Sequence, residues 1–301
     1  MSKLTVEFPN GEKGEFVHAY GLTFNSKILD RLSTRDLKSH IENIRNLEIR
    51  DDDVYLATYP KCGTHWVWEI LVMLKRGNAE YEIKTKGAAF LDFQSPEVVG
   101  SIPSPRVLNC HYPCKLAPKE LLQKGIKIVH VMRNPKDVFV SYYHHLKTIH
   151  SAPLTSSFQE FLPQLLGEYG IYTFYPWFQH MKEWERFSEQ HPEQILNLFF
   201  EDLKEDPVRE IKKINSFLET GRSEDLIKGI AEACDFKNLK KADAEIKVAE
   251  NFVDKKKSSN MYRKGEVGDW KNHFTVAQNE RMNEWLEENF TDTDLKFRYT
   301  L

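Results

Sequence analysis

Short apolar runs alternate along this chain with longer amphipathic segments. Residues 126–132 are mostly apolar and β-branched, which is typical of a strand buried on both faces of a sheet. After a turn near residue 60, apolar side chains recur at i, i+3, i+4 and i+7, the pattern of a helix with one buried face, at Val67, Ile70, Leu71 and Leu74. The same reasoning predicts strands at 54–59, 106–109, 126–132 and 194–200. It predicts helices at 64–76, 137–146, 158–166, 177–190, 208–218, 224–233 and 276–289.

The alternation of buried strands with helices predicts an α/β fold with a central parallel sheet flanked by helices on both faces. A length of 301 residues is enough for one such domain spanning 1–301. The hydrophobic share of 41% and the charged share of 29% are those of a globular protein. The lysine-rich segment 235–260 has no clear periodicity and is predicted to be a mobile loop.

Composition excludes several classes of function. A net charge of −3 argues against nucleic acid as a partner. No apolar run approaches the length of a membrane helix, and the polar start of the chain is unlike a signal peptide, so we expect no membrane contact and a cytoplasmic location. The four cysteines show neither disulfide-framework nor zinc spacing, so we expect reduced thiols and no metal.

The segment 58–66 joins the first buried strand to the first amphipathic helix and carries the clearest chemistry. Unpaired N–H groups at a helix start, together with the helix dipole, favour an anion there. Lys61 adds a positive charge, Gly63 lets the backbone approach a ligand, and Thr64 is predicted to cap the helix. The spacing differs from that of a Walker A loop, which argues against a P-loop kinase. The alternative is an ordinary turn with a surface lysine.

Two further segments carry cations suited to phosphate. Arg133 follows the strand at 126–132, where open α/β sheets bind ligands, and Ser141 lies further along the next helix. Near the other end of the chain, Arg263 and Lys264 precede Gly265, a pattern that a solvated basic turn also explains. His111 follows an apolar pair, and a lone histidine of this kind is more often structural than catalytic.

Taken in order, these segments resemble the cytosolic sulfotransferases, and the resemblance runs from residue 58 to residue 280. It implies that the turn binds the 5′-phosphosulfate of 3′-phosphoadenosine 5′-phosphosulfate (PAPS) through Lys61, Cys62, Gly63, Thr64, His65 and Trp66. The 3′-phosphate is assigned to Arg133, Ser141, Arg263, Lys264 and Gly265, and the adenine to Phe200, Cys234, Asp235 and Phe236. The resemblance makes His111 the general base and Lys61 a catalytic residue, since a neutral imidazole suits proton removal from a hydroxyl.

Several of these positions depart from the common family pattern. Cys62 replaces a serine, and we expect its backbone N–H to serve in its place. His65 replaces a residue that is often Thr or Ser, and Phe200 stands where a tyrosine usually contacts adenine. The Cys234–Asp235–Phe236 segment stands where Thr-Ser-Phe is usual. Phe236 is expected to stack with Trp66 around the adenine, and Asp235 is unfavourable if it points inward. These changes bear on nucleotide affinity more than on activity.

The acceptor pocket is the least defined part of the prediction. Phe90, Phe93 and Phe174 match aromatic residues that line it in phenol-type members, although such residues are more often plain core. Asn109 occupies a position that is lysine in many of those members. The resemblance also makes the segment 235–260 a lid over nucleotide and acceptor.

The segment 271–280 resembles the stretch through which many cytosolic sulfotransferases form homodimers. A two-fold axis would set Lys271 of one chain against Glu280 of the other, with Thr275 and Val276 between them. The alternative is an ordinary loop leading into the last predicted helix.

The predicted function is transfer of a sulfuryl group from PAPS to a hydroxyl or amine of a small apolar acceptor, such as a phenol, a steroid or another alcohol. The alternative is a protein that binds PAPS, or its product 3′-phosphoadenosine 5′-phosphate (PAP), with weak or lost catalytic activity. Lys61 and His111 discriminate between these two functions. A protein that had lost turnover would be expected to lose one of them, and both are present.

Overall fold

A three-stranded antiparallel sheet begins the chain, and a four-stranded parallel sheet forms its centre. The computed structural model describes residues 1–7, 11, 13–82, 86–148, 156–246 and 262–301. The first sheet consists of β1 (Ser2–Glu7), β2 (Lys13–Ala19) and β3 (Leu22–Asn25). The central sheet consists of β4 (Val54–Thr58), β5 (Val107–Cys110), β6 (Lys127–Met132) and β7 (Ile195–Phe199), arranged in the order β5-β4-β6-β7.

Helices connect the parallel strands and cover both faces of the central sheet. In chain order they are α1 (Leu37–Arg45), α2 (Thr64–Arg76), α3 (Pro96–Gly100), α4 (Glu120–Gln123), α5 (Pro135–Leu146), α6 (Phe158–Leu166), α7 (Trp177–Gln190), α8 (Phe200–Glu205), α9 (Pro207–Phe217), α10 (Glu224–Ala233), α11 (Phe236–Ile246) and α12 (Val276–Asn289). Short 3-10 helices lie at Ser26–Asp30, Cys114–Leu116 and Asp269–Asn272.

Alternate residues of each central strand enter two different hydrophobic clusters. On β4, Val54 and Leu56 pack in one cluster with residues of α2, while Tyr55 and Ala57 pack in the other with Trp184 of α7. Because successive side chains of a strand point to opposite faces, both faces of the sheet are buried. This arrangement confirms the predicted single α/β domain with a parallel sheet flanked by helices.

All four parallel strands point their carboxyl ends toward one edge of the sheet. The residues that follow them there are Lys61 after β4, His111 after β5, Arg133 after β6 and Phe200 after β7. The chain passes from β4 to its neighbour β5 and then returns to the other side of β4 at β6. Open α/β sheets bind ligands where the strand order reverses in this way, so the fold places the candidate residues at one site.

The N-terminal sheet is fastened to the rest of the molecule through its third strand. The Thr23 N–H donates to the Phe174 carbonyl at 2.7 Å, and the Phe174 N–H donates to the Thr23 carbonyl at 2.9 Å. Phe174 adopts a left-handed backbone with φ of 72°. The N-terminal sheet therefore forms a wall beside the carboxyl edge of the central sheet.

The predicted helices 64–76, 158–166, 177–190, 224–233 and 276–289 have the observed bounds, and the other predicted elements differ by one or two residues. The N-terminal sheet is not predicted from the sequence, and neither are α1, α3, α4, α8 and α11. Phe200 was predicted to end a strand but begins α8, whose first turn carries Glu201 and Asp202.

The loop predicted at 235–260 needs a correction. Its first part is the helix α11, in which Leu239 and Ala242 lie three residues apart and are both buried. This apolar pair is too short a pattern to stand out among the neighbouring lysines. Residues 247–260 of the predicted lid lie outside the described residues.

Candidate active site

A cleft of about 630 Å³ lies along the carboxyl edge of the central sheet. One end, the cationic half, is lined by Lys61, Arg133, Arg263 and Lys264. The other end, the apolar half, is lined by Phe24, Phe90, Phe93, Phe161 and Phe174. His111 also lines the cleft and lies where the halves meet. Its ring centre is 5.1 Å from that of Phe90, and its Nδ1 is 2.9 Å from the Thr58 carbonyl oxygen at the end of β4, just before the turn that carries Lys61.

The turn between β4 and α2 has the backbone of an anion-binding loop. Lys61 and Gly63 both adopt left-handed backbone conformations, with φ of 72° and 98°. Gly63 is the N-cap residue of α2, and no side chain caps the helix. Thr64, predicted as the cap, is instead the first helical residue. The uncapped N-terminus faces the cleft with Lys61, Gly63 and His65 in its lining, which fits the binding of a negatively charged group.

The Cys62 N–H, predicted to bind the 5′-phosphosulfate, is used inside the turn. It donates to the Tyr59 carbonyl at 3.2 Å. The Cys62 side chain is fully buried, and burial raises the pKa of the thiol. Cys62 therefore supports the turn from behind and does not line the cleft.

Arg133 joins the two phosphate segments predicted from the sequence. Its guanidinium donates to the Lys61 carbonyl at 3.1 Å and to the Glu266 carbonyl at 2.9 Å. The guanidinium also lies 4.1 Å from the centre of the Phe200 ring. Ser141, on the next helix α5, lines the same half of the cleft. Arg133 thus faces the cleft and also holds the β4–α2 turn close to the C-terminal segment.

Two carboxylates that the sequence analysis did not assign to the site organise the C-terminal segment. Asp137, in the first turn of α5, accepts the N–H groups of Gly268 at 2.7 Å and Trp270 at 2.9 Å. Asp269 pairs with Arg263 at 2.6 Å and with Lys264 at 2.5 Å. The Asp269 carboxylate therefore orients both cations toward the cleft. A carboxylate five and six residues after the two members of an Arg-Lys pair was the available sequence signal.

The aromatic residues of the cationic half contact one another in two pairs. Trp66 contacts Phe200 edge to face, with ring centres 5.5 Å apart, whereas Phe236 contacts Tyr262 at 6.2 Å. All four rings line the cleft, so they leave aromatic surface for a planar base. Phe200 packs on Trp66, and the stacking of Phe236 with Trp66 around an adenine stays a prediction.

The neighbours of Phe236 in sequence also have local partners. Asp235 is exposed and accepts the Lys237 N–H at 2.8 Å, so its carboxylate caps the start of α11. The Cys234 sulfur is buried 3.7 Å from the Met73 sulfur. Both residues border the cleft, and neither places a free negative charge in its centre.

His111 has the geometry of a neutral imidazole with one nitrogen free for chemistry. Its Nδ1 lies 2.9 Å from the Thr58 carbonyl oxygen and 2.9 Å from the Thr58 hydroxyl. A carbonyl only accepts, so Nδ1 carries the proton and Nε2 is left as the acceptor. Burial lowers the pKa of His111 to about 4, the Thr58 carbonyl opposes this shift, and Lys61 adds to it. The Thr58 hydroxyl also lies 2.7 Å from the Thr64 hydroxyl at the start of α2.

Asp92 fixes the backbone of His111 from below. Its carboxylate accepts the His111 N–H at 3.0 Å, and it is buried at the edge of the cleft. Burial raises the pKa of Asp92 to about 7, although the bond from His111 lowers it. Asp92 lies between Phe90 and Phe93 in the sequence but is not predicted from it as a site residue.

The predicted acceptor residues divide into two groups. Phe90, Phe93 and Phe174 line the apolar half, with Phe90 5.1 Å from Phe93 and 5.1 Å from His111 between ring centres. Asn109 does not line the cleft. Its side chain is buried and donates to the Ala89 carbonyl at 3.0 Å, which fastens the Phe90 segment to β5. Its predicted role in acceptor binding is therefore replaced by a structural one.

Three polar residues of the apolar half were not found from the sequence. Arg31 follows the first 3-10 helix, His145 lies near the end of α5, and Gln164 lies on α6. All three line the cleft. None belongs to a motif, and only the fold brings them together.

Fold and site together define an α/β protein with an anion-binding cleft beside a neutral imidazole. The family model described as "Sulfotransferase domain" matches residues 51–294. The chain is 37% identical to Sulfotransferase 1A1 of Rattus norvegicus over 273 residues, covering 86% of this chain and 91% of that protein. It is 35% identical to human Sulfotransferase 1C2 over 267 residues, covering 84% of this chain and 88% of that protein. The chain therefore belongs to the sulfotransferase family and is a sulfotransferase, which confirms the membership predicted from the motifs.

A solved structure supports the same fold. Mouse sulfotransferase SULT7A1, complexed with PAP, superposes with a TM-score of 0.74 at 26% identity, covering 93% of this chain and 95% of the other. Within the described residues, no helix combines the length and apolarity needed to cross a membrane.

Proposed function

We propose that this protein transfers a sulfuryl group from PAPS to a hydroxyl of a small apolar acceptor. PAPS supplies an activated sulfur whose leaving group is a phosphate. The observation that carries the proposal is the junction at His111. A neutral imidazole with Nε2 left as acceptor lies between an apolar pocket and the uncapped helix start at Lys61.

The cationic half fits PAPS by its donors. The start of α2 and Lys61 would hold the 5′-phosphosulfate, and Arg133, Ser141, Arg263 and Lys264 would hold the 3′-phosphate. The rings of Trp66, Phe200 and Phe236 give the adenine an aromatic surface. Gly63 and Gly265 let the backbone come close, since a side chain on Gly63 would meet Phe200 and one on Gly265 would meet Phe236.

The reaction follows from these positions. His111 Nε2 accepts the proton of the acceptor hydroxyl as its oxygen forms a bond to sulfur, and the bond from sulfur to the bridging phosphate oxygen breaks. Lys61 and the amide groups at the start of α2 stabilise the charge that develops on that oxygen. The Thr58 carbonyl keeps the imidazole in the required tautomer and stabilises the imidazolium that forms.

Replacing Lys61 tests the proposal directly. Lys61→Ala should lower turnover at saturating PAPS, measured with labelled PAPS against a panel of phenols, sterols, amines and other alcohols. The exposed lysine Lys38 offers a control, and Lys38→Ala should leave turnover unchanged. Full activity of Lys61→Ala would refute the mechanism. Tight PAP binding by wild type with no transfer to any acceptor would favour the alternative of a nucleotide-binding protein.

We also propose that the protein pairs through the segment 271–280. Val276 is 76% exposed, more than any other large hydrophobic side chain in the described part of the chain. Lys271, Thr275 and Glu280 are exposed around it, and Thr275 caps α12 together with Gln278. An exposed apolar side chain between a cation and an anion suits a small self-complementary contact.

Sedimentation of wild type and Val276→Glu over a range of concentrations tests the dimer. Wild type should associate, and Val276→Glu should be monomeric with an unchanged melting temperature. The matched variant Val98→Glu, at another exposed valine, should still associate. Association that survives Val276→Glu, or a monomeric wild type, contradicts the proposal.

A further inference from the structure

The apolar half of the cleft has polar side chains among its rings, and two of their atoms lack partners. His145 Nδ1 and the Ser156 hydroxyl are buried without a hydrogen-bond partner within the described residues, and both residues line the cleft. Gln164, only 7% exposed, lines the cleft as well. An unsatisfied buried donor or acceptor costs free energy, so its presence beside a pocket requires an explanation.

The contact between α5 and α6 places His145 and Gln164 in the apolar half. The rings of Tyr142 on α5 and Phe161 on α6 lie 6.5 Å apart between centres, and both line the cleft. His145 follows Tyr142 by one helical turn, and Gln164 follows Phe161 by one turn. Residues three apart share a helix face, so the wall formed by these two helices presents polar groups next to aromatic ones.

His145 presents a hydrogen-bond donor to the cleft. Burial holds its pKa well below the ordinary value, so the imidazole is neutral and has one N–H and one acceptor nitrogen. Nδ1 is enclosed with no acceptor beside it, and an orphaned buried N–H is rarer than an unused acceptor, which puts the proton on Nε2. Nε2 is not among the enclosed atoms, so its N–H is available to a ligand.

The Gln164 amide adds both a donor and an acceptor to the same wall. The amide and the neutral imidazole carry no charge. A buried charge on a ligand requires a countercharge, whereas a neutral oxygen requires only a hydrogen bond. These two side chains therefore suit a carbonyl oxygen, which accepts, or a hydroxyl, which accepts and donates.

We propose that His145 and Gln164 form a second recognition point, for a neutral ketone or hydroxyl oxygen carried by the acceptor. The inference rests on the proposed function and names its substrate class: apolar hydroxy ketones and diols. The reacting hydroxyl is placed at His111, and the apolar body packs on the phenylalanines of the apolar half. The second oxygen accepts from His145 Nε2 and bonds to the Gln164 amide.

Three phenols of equal length test the proposal: one with a methyl ketone at the end of its 4-alkyl chain, the alkene in which CH₂ replaces the ketone oxygen, and the carboxylate. Each is made over a short series of chain lengths. Two quantities are measured, kcat/KM with PAPS and equilibrium binding by calorimetry with PAP bound, where no turnover occurs. At the best length, wild type should prefer the ketone to the alkene by about threefold to tenfold in both, the usual effect of a neutral hydrogen bond. An alkene as good as the ketone at every length, or a carboxylate better than the ketone, overturns the proposal.

His145→Phe and Gln164→Leu should each lower the ratio of ketone to alkene, because the ketone loses a bond and the alkene gains apolar contact. The matched controls are His144→Phe, at the preceding residue of α5, which lies outside the cleft lining, and Gln159→Leu, at an exposed residue of α6. Both controls should keep the wild-type ratio. The ratio does not depend on the fraction of folded protein, so partial unfolding of a variant does not affect it. A ratio unchanged in His145→Phe and in Gln164→Leu would give both residues a structural role and overturn the proposal.

The two readouts separate this proposal from the proposed function. Preferential ketone binding in the PAP complex, lost in His145→Phe but without any transfer, would refute the transferase proposal and support the recognition point. Transfer to ketone and alkene at equal rates would support the transferase and overturn the recognition point.

Discussion

The cationic and apolar halves of the cleft are built in different ways. The cationic half combines a few residue types at fixed spacing, held by backbone bonds and ion pairs such as those of Arg133 and Asp269. The apolar half collects side chains from β3, the first 3-10 helix, α5 and α6. A charged ligand requires donors at defined positions, whereas an apolar one requires only surface of the right shape. The first requirement leaves a pattern in the sequence, and the second resembles ordinary core.

Because His111 lies where the two halves meet, we expect turnover of every acceptor to depend on it. His111→Ala should lower turnover by about 10²–10⁴-fold, the usual contribution of a general base. The loss should be similar for acceptors of different shape, with PAP affinity by calorimetry near that of wild type. The exposed His191 supplies the control His191→Ala. Weaker PAP binding with unchanged turnover per bound enzyme would make His111 a structural residue.

A buried histidine on β6, outside both halves of the cleft, should make the stability of the fold sensitive to acid. His130 on β6 is fully buried with Nε2 unpartnered, and burial lowers its pKa to about 4. The unfolded chain, with a pKa near 6.5, takes up this proton first as the pH falls. The free energy of unfolding that neutral His130 contributes is therefore fully present above about pH 6.5. It is lost progressively as the pH falls to about 4, by about 3 kcal/mol.

Urea denaturation at pH 7 and pH 4.5 measures this effect. His130→Phe should reduce the difference between the two pH values, and His191→Phe, at an exposed site, should not. An unchanged difference in His130→Phe would show that other groups control acid unfolding.

Within the cationic half, Arg263→Ala should weaken PAP binding by about tenfold to a hundredfold, because one charge-assisted contact to the 3′-phosphate is lost. The analogue without the 3′-phosphate should bind about as well as it does to wild type. Calorimetry with both nucleotides measures this, with Arg209→Ala on the far helix α9 as the control. Equal weakening for both nucleotides would show that Arg263 does not contact the 3′-phosphate.

The smallest predicted effect concerns the turn itself. Gly63→Ala should cost about 1–2 kcal/mol of unfolding free energy, because φ is 98° and a Cβ would lie 3.0 Å from Phe200. Gly100→Ala, where a Cβ meets no atom within 4 Å, serves as the control and should be neutral or stabilising. Chemical denaturation compares the three proteins. Equal stability of Gly63→Ala and wild type would show that the turn relaxes at no cost.

Much of the central fold was predictable, for a physical reason. Strands such as 126–132 and helices such as 64–76 carry local apolar periodicity, so their bounds follow from the residues alone. The N-terminal sheet escaped because β1 and much of β2 are exposed, so few buried apolar positions mark its strands. The helix α11 escaped because its buried apolar pair stands among lysines. In the site, Lys61, Arg133 and Arg263 stood out by charge and spacing. Asp92, Arg31 and His145 did not, because only folding makes them neighbours.

The fastening of the N-terminal sheet has an evolutionary consequence. Thr23 and Phe174 are joined through their main chains, at 2.7 and 2.9 Å, so the bonds do not depend on which side chains stand there. Residues of β3 and the following turn that face the cleft can therefore be exchanged without detaching the wall that carries them. Such a chain can acquire a new acceptor by a few substitutions near its beginning while the machinery that binds the nucleotide stays untouched.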